Sequence, residues 1–470
     1  MKSPKVLYIA MRLLQSAALA ALGVAGSAQA QGSDAALIEQ GHRLAIAADC
    51  AACHTTPKTG AAFAGGYPIV SPLGTIYASN ITPSKANGIG DYTLEEFQAA
   101  LRQGVRKDGA HLYPAMPYTS YTQLSDADTA ALYAYFMHGV KAVDQPAPQT
   151  SLPFPFNLRS SMAVWNAMFL KDSRFVPDAS KSTEVNRGAY LAGALAHCSA
   201  CHTPRNALMA EDGTKPLGGG SLGPWFAPNI SADPNSGIGA WTEAELVQYL
   251  KTGRVHGKAQ AAGPMAEAIE HSLQYLPDED LKAIAVYLKQ TAAISDGQSK
   301  PRFDHGEASA SETEMRGRAT DVDAGWRIFS GSCAACHQAN ATGTGNEAYP
   351  SLFHNTTTGA DRADNLIATI LFGVDRTVDG KPHFMPAFGD AASFTDRLGD
   401  QEVADVANYV LSHYGNAAVK VSAQDVQTAR AGGKAPLLAT LQPAIAPALG
   451  VVLIVLILLV VRGSRARRKH

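Results

Sequence analysis

Charge of one sign is what this chain has least of: 39 Lys and Arg stand against 41 Asp and Glu, a formal net charge of -2. Near-neutrality supplies no electrostatic reason to bind nucleic acid, and none is expected as a partner. Cysteine is scarce too, with six in the chain, and none is left over for a structural disulfide. Methionine thins out toward the C-terminus, where only Met385 follows residue 337. Length is not lacking: 470 residues suggest about three domains of ~150 residues each.

All six cysteines fall into three copies of one pattern: Cys50-Ala-Ala-Cys53-His54, Cys198-Ser-Ala-Cys201-His202 and Cys333-Ala-Ala-Cys336-His337. This is the attachment signature of a c-type haem. Two thiols on one tight turn reach the two vinyl groups of a single porphyrin, and the adjacent histidine meets the iron from the proximal side. A lone Cys-x-x-Cys also suits a redox disulfide or half a zinc site. Three copies, each followed at once by histidine, favour three covalently bound haem c groups.

The two ends differ from the rest. Residues 1–30 read as a secretory signal, with Lys2, Lys5 and Arg12 ahead of an apolar stretch from Leu13 to Val24 and a small-residue site at Ala28-Gln29-Ala30. An N-terminal anchor is the alternative, but the apolar stretch is short for one. From Pro443 to Val461 there is no charge, and Arg462, Arg465, Arg467, Arg468 and Lys469 follow. A helix over 443–461 covers roughly 28 Å, enough to span a bilayer core, and a basic tail over 462–470 belongs on the cytoplasmic side. A buried soluble helix is the alternative. The expected location is the bacterial inner membrane, with the haem domains periplasmic and the C-terminus cytoplasmic.

Between the ends the chain repeats itself. Asn80-Ile81-Thr82, Gly88-Ile89-Gly90 and Tyr92-Thr93-Leu94-Glu95-Glu96 match Asn229-Ile230-Ser231, Gly237-Ile238-Gly239 and Trp241-Thr242-Glu243-Ala244-Glu245 at an offset of 149 residues. That is duplication of a whole domain. Thr93 with Glu96, and Thr242 with Glu245, form capping boxes that start helices. Each unit closes on a helix carrying Tyr135, Tyr287 or Tyr409, and opens on one carrying Gly41, Gly188 or Gly325. Glycine there lets the first and last helices cross closely. The fold class expected is all-α: three tandem cytochrome c-like domains at 34–145, 184–293 and 321–415, plus one C-terminal transmembrane helix. Linkers occupy 146–183, 294–320 and 416–442.

Methionine sulfur as sixth iron ligand raises the potential, whereas an open position admits oxygen or peroxide. The candidates are Met116, Met265 and Met385, each beside a proline. Met116 lies 62 residues beyond His54 and Met265 lies 63 beyond His202. Met137 and Met209 are rivals that do not recur between copies. His111, His197 and His383 lie near the motifs and could replace a methionine, though a surface or supporting role fits each better.

These motifs, with Tyr-Pro-Ala-Met-Pro at 113–117 and Gly-Pro-Met-Ala at 263–266, resemble the three-haem cytochrome c subunits of membrane-bound sugar, polyol and alcohol dehydrogenases. Residues 266–277 and 373–377 are similar to the fructose dehydrogenase cytochrome subunit in particular. The gluconate and alcohol dehydrogenase subunits share the framework. The resemblance implies a chain that is no enzyme on its own. A flavin- or pyrroloquinoline-quinone-dependent catalytic subunit, with or without a small third subunit, supplies electrons. This chain relays them to ubiquinone and anchors the complex in membrane lipid. A respiratory terminal oxidase subunit and a multihaem peroxidase are the alternatives.

Overall fold

The computed structural model describes residues 34–309, 322–345, 348–445 and 447. Three helical units follow one another. The first opens with a helix over 34–47 and closes with Asp126–Ala134, which widens into a π turn at Tyr135–Gly139. The second opens with Thr183–Tyr190 and closes with Asp278–Leu288. The third opens with Ala324–Ile328 and closes with Asp400–Tyr414. In the second and third units the opening helix runs into a π turn, Leu191–Leu195 just ahead of the motif and Phe329–Cys333 ending on its first cysteine. Middle helices at Leu94–Gln103 and Glu243–Thr252 start at Thr93 and Thr242. Both capping boxes form, with Glu96 N donating to Thr93 Oγ1 and Glu245 N to Thr242 Oγ1, each at 3.2 Å.

The glycines in the opening helices set how closely the helices cross. A Cβ on Gly41 would sit 1.9 Å from Ala131 O, one on Gly188 1.9 Å from Ala283 O, and one on Gly325 2.3 Å from Asp405 O. Tyr135, Tyr287 and Tyr409 supply the next atoms met, at 2.7, 2.7 and 2.8 Å. Only hydrogen fits between these backbones. The duplication is also visible atom by atom. Asn80 Oδ1 accepts from Thr82 N at 2.9 Å and Asn229 Oδ1 from Ser231 N at 2.8 Å. Their amides donate to Val143 O at 2.8 Å and Ile294 O at 2.6 Å, tying down the chain after each closing helix.

The first two units share one continuous apolar core, in which Leu132 and Phe136 join Leu191, Leu195 and Ile284. The third has its own, built on Phe329, Leu371, Val406 and Tyr414. The segments expected as linkers carry structure. Ser161–Phe169 is a helix whose Trp165 packs edge-on against Tyr118 of the first unit and donates from Nε1 to Leu208 O of the second at 2.9 Å. Ala423–Arg430 buries Val426 and Ala429 against the third unit.

Two expectations are corrected. The fold is not all-α, because among the described residues four two-stranded antiparallel hairpins accompany the helices. They pair Pro68–Ser71 with Gly74–Tyr77, Gly220–Leu222 with Trp225–Ala227, Arg254–Val255 with Ala259–Gln260, and Val374–Val378 with Lys381–Met385. In the last, Asp379 and Gly380 have φ of 51° and 68°, the left-handed pair that closes a two-residue hairpin turn. The expected C-terminal transmembrane helix is likewise unsupported: no helix among the described residues is long and apolar enough to cross a membrane. The longest described, Asp400–Tyr414, has 15 residues, about 22 Å of rise against a core of ~30 Å, and starts on Asp400 and Glu402. Of 443–461 only 443–445 and 447 are described; the remainder, with 1–30 and 462–470, lies outside the described residues. The inner-membrane placement with a cytoplasmic C-terminus loses its support with the span.

Gly188→Ala is expected to lower stability by ~2–3 kcal/mol, the cost of overpacking a close crossing. Gly193→Ala, where an added Cβ meets nothing within 4 Å, is expected to leave it unchanged or slightly raised. Thermal unfolding of the two variants side by side checks the contrast.

Candidate haem-attachment sites

Each motif forms a one-turn helix at the end of its opening helix: Cys50–His54, Ser199–His202 and Ala334–His337. In the first two units the residue before the first cysteine is left-handed, Asp49 at φ 52° and His197 at φ 39°. Such a conformation is costly for a non-glycine residue and is held by its surroundings. Here it turns the chain sharply into the short helix, so that both cysteines and the histidine lie within or at the start of one turn.

The three histidines share one arrangement. His54 Nδ1 lies 2.7 Å from Ser79 O, His202 Nδ1 2.6 Å from Pro228 O, and His337 Nδ1 2.8 Å from Pro350 O. A backbone carbonyl can only accept, so Nδ1 carries the proton and Nε2 keeps its lone pair for a metal. Burial lowers the pKa of all three imidazoles, opposed in part by that same backbone bond, so the neutral, ligating form is favoured. The acceptors stand just before Asn80-Ile81-Thr82, before Asn229-Ile230-Ser231, and before Ser351. Sequence reading missed them; the signal was the repeated run itself, which follows each acceptor directly in the duplicated pair.

Burial pushes the thiols of Cys50, Cys198 and Cys333 up to about 12. That disfavours the thiolate on which disulfide exchange and zinc binding depend. Among the described residues no three His, Cys, Asp or Glu side chains gather into a metal cage. Paired neutral thiols beside an imidazole with a free Nε2 fit covalent haem instead. The first two motifs also approach one another: Cys53 and Cys201 interact electrostatically, and Tyr67 donates to Glu267 Oε2 at 3.0 Å, linking the first unit to the second unit's helix Gly263–His271.

The candidate methionines lie on three different supports. Met116 is in the loop before Tyr118–Tyr121, its N–H donating to Tyr113 O at 3.1 Å. Met265 is in the first turn of Gly263–His271, and Met385 ends a strand opposite Val374. All three are half-buried and pack against the core of their unit. Of the spare histidines, His111 bridges Val105 and has a buried, unpartnered Nδ1. His197 stacks edge-on to Tyr121 at the junction of the first two units, and burial lowers it to about 4. His383 pairs with Arg376 across the third unit's hairpin, and burial with nearby cations lowers it to about 4.

Three units, each with a Cys-x-x-Cys-His turn and an imidazole held at Nδ1, define a multidomain c-type cytochrome. The family described as Cytochrome c matches residues 38–139, 185–292 and 322–413, and the chain belongs to it. Its similarity extends to whole subunits. It is 50% identical to the fructose dehydrogenase cytochrome subunit of Gluconobacter japonicus, over 91% of this chain and 89% of that one. With the gluconate 2-dehydrogenase cytochrome c subunit of Pantoea cypripedii it shares 40% identity over 89% and 95%. The alcohol dehydrogenase (quinone) cytochrome c subunit of Gluconobacter oxydans (strain 621H) is 38% identical over 87% and 85%.

The mature polypeptide is expected to exceed its amino-acid mass by three haems. Replacing Cys333 and Cys336 together by alanine should remove one. Denaturing mass spectrometry of both forms checks the count, and an unchanged mass in the variant would exclude the third motif as an attachment site.

Proposed function

We propose that this chain is the electron-relay subunit of a dehydrogenase complex acting on CH–OH substrates, with no catalysis of its own. A catalytic subunit carrying flavin or pyrroloquinoline quinone supplies the electrons, and ubiquinone takes them. When bound, haem c supplies a reversible one-electron couple at iron. The observation that carries the reading is the threefold recurrence of the pinned imidazole in units that pack directly on one another.

The protein's part is to bind, orient and insulate. Paired cysteines hold each group covalently, and the Ser79, Pro228 and Pro350 carbonyls orient His54, His202 and His337. Met116, Met265 and Met385 would supply sulfur donors to the iron, a soft donor set that favours electron transfer over oxygen chemistry. The shared core of the first two units keeps their motifs in a constant relation, as a relay requires. Similarity along nearly the full length to cytochrome subunits of fructose, gluconate and alcohol dehydrogenases supports the donor class, and the quinone in the name of the alcohol dehydrogenase relative supports the acceptor.

Isolation of the native complex tests this reading: a dehydrogenase polypeptide should co-purify, and the cytochrome chain alone should oxidise no sugar or alcohol. Turnover by the separated chain would overturn it. Met385→Ala is expected to let the reduced protein bind carbon monoxide at one haem in three, whereas the unmodified chain binds none; optical titration reads both.

A further inference from the structure

One buried cation is left unexplained by the relay. Arg376 projects from the third unit's hairpin and is 1% exposed, yet its partners belong to the second unit. Its Nη1 donates to Ala261 O, its Nη2 to Gln260 Oε1 at 3.0 Å, and its Nε is buried with no partner. The guanidinium lies flat on Gly253, where a Cβ would come within 2.9 Å of Nε. Among the described residues no carboxylate is within ion-pair distance; Glu270 acts on it only from farther away, and Arg254 adds a second positive charge nearby. Arg102 in the first unit, whose Nε is also unpartnered, differs in having a carboxylate for its charge. It is equally buried, and it holds Asp126 at 2.7 Å.

A second arginine approaches the same region. Arg302, from the segment joining the second and third units, donates to Asn229 O at 3.2 Å, next to the loop that pins His202. It has no ion-pair partner among the described residues, and it acts electrostatically on His202 itself. Arg302 and Arg376 both act on Tyr249 of the second unit's middle helix. Two guanidiniums thus stand beside the Asn229 loop next to His202 and the Ala261 segment that leads to Met265; Asp296 and Asp361 act on Arg302, and Glu270 on Arg376, only from beyond ion-pair distance. A buried charge without its counter-charge is costly, and guanidinium is the group best suited to carboxylates. The haem that Cys198 and Cys201 hold carries two carboxylate side groups.

We propose that Arg376, lent by the third unit, and Arg302, from the connecting segment, bind the carboxylate side groups of the second unit's haem and thereby raise its reduction potential. The inference rests on the relay reading above, since it needs that haem in place. It also assigns the third unit's hairpin a part in another unit's redox site. A positive charge close to a redox centre favours the form holding the extra electron, so removing it lowers the midpoint potential.

The test is spectroelectrochemical titration of the full-length haem-loaded protein. Arg376→Gln is expected to lower one of the three midpoint potentials and leave two in place, and Arg302→Gln to lower the same one. Arg376→Lys, which keeps the charge, should stay near the unmodified value. In a Met265→His background, which by itself marks the second haem by a lowered potential, the further shift should fall on the marked haem. If Arg376 only ties two units together, Arg376→Gln will lower the melting temperature while all three potentials stay put, and that overturns the proposal. So does a shift at the first or third haem. Should Arg376→Gln lose its second haem during maturation, Arg302→Gln decides: an unmoved potential there overturns the proposal. Fewer than three haems in the unmodified chain, or no marking by Met265→His, would instead defeat the underlying assignment.

Discussion

An imidazole serves a metal with one nitrogen only if something holds the other, and in this protein a backbone carbonyl does so three times. The bonds from His54, His202 and His337 to Ser79, Pro228 and Pro350 set ring orientation and tautomer together. The carbonyls are themselves held. The chain beyond Ser79 and Pro228 is locked by buried Asn80 and Asn229, whose amides reach past the closing helix of their unit. Closing helix and opening helix meet where glycine alone fits. Each motif histidine is therefore the end of a chain of constraints running through the whole unit, and a change far from the motif reaches it.

The second unit has the most neighbours. It shares its core with the first, and its methionine-bearing helix meets the first motif through Glu267 and Tyr67. It meets the third unit through Arg376, through Gln274 with Thr377 and Asp379, and through the reciprocal pair of Asn365 with Phe226 at 2.9 Å. A relay needs centres held at constant separation, and these contacts supply that rigidity with buried apolar surface and paired amides. Exposed ion pairs such as Lys58 with Asp375 add little.

Much of this was legible in the chain. The motifs name the attachment cysteines and the histidines because covalent chemistry needs that spacing. The capping boxes, the duplication and the glycine-tyrosine crossings are local patterns with local causes. The hairpins were not seen, although Asp379-Gly380 is a turn signal. Strands of two to five residues carry too little alternation to stand out beside strong helical periodicity. The span expected over 443–461 came from an uncharged apolar stretch followed by a basic cluster, and gains no support from the described helices.

Residue order by itself determined the three Cys-x-x-Cys-His motifs and how each unit is wound, because attachment chemistry and helix capping act over a few neighbouring positions. Only the tertiary structure decided which carbonyl restrains each imidazole, that the first two motifs lie close together, and that Arg376 hydrogen-bonds to residues outside its own unit. Those contacts join residues from different stretches of chain. Their partners are chosen by packing and by the need to satisfy buried polar groups, which no short run of sequence records.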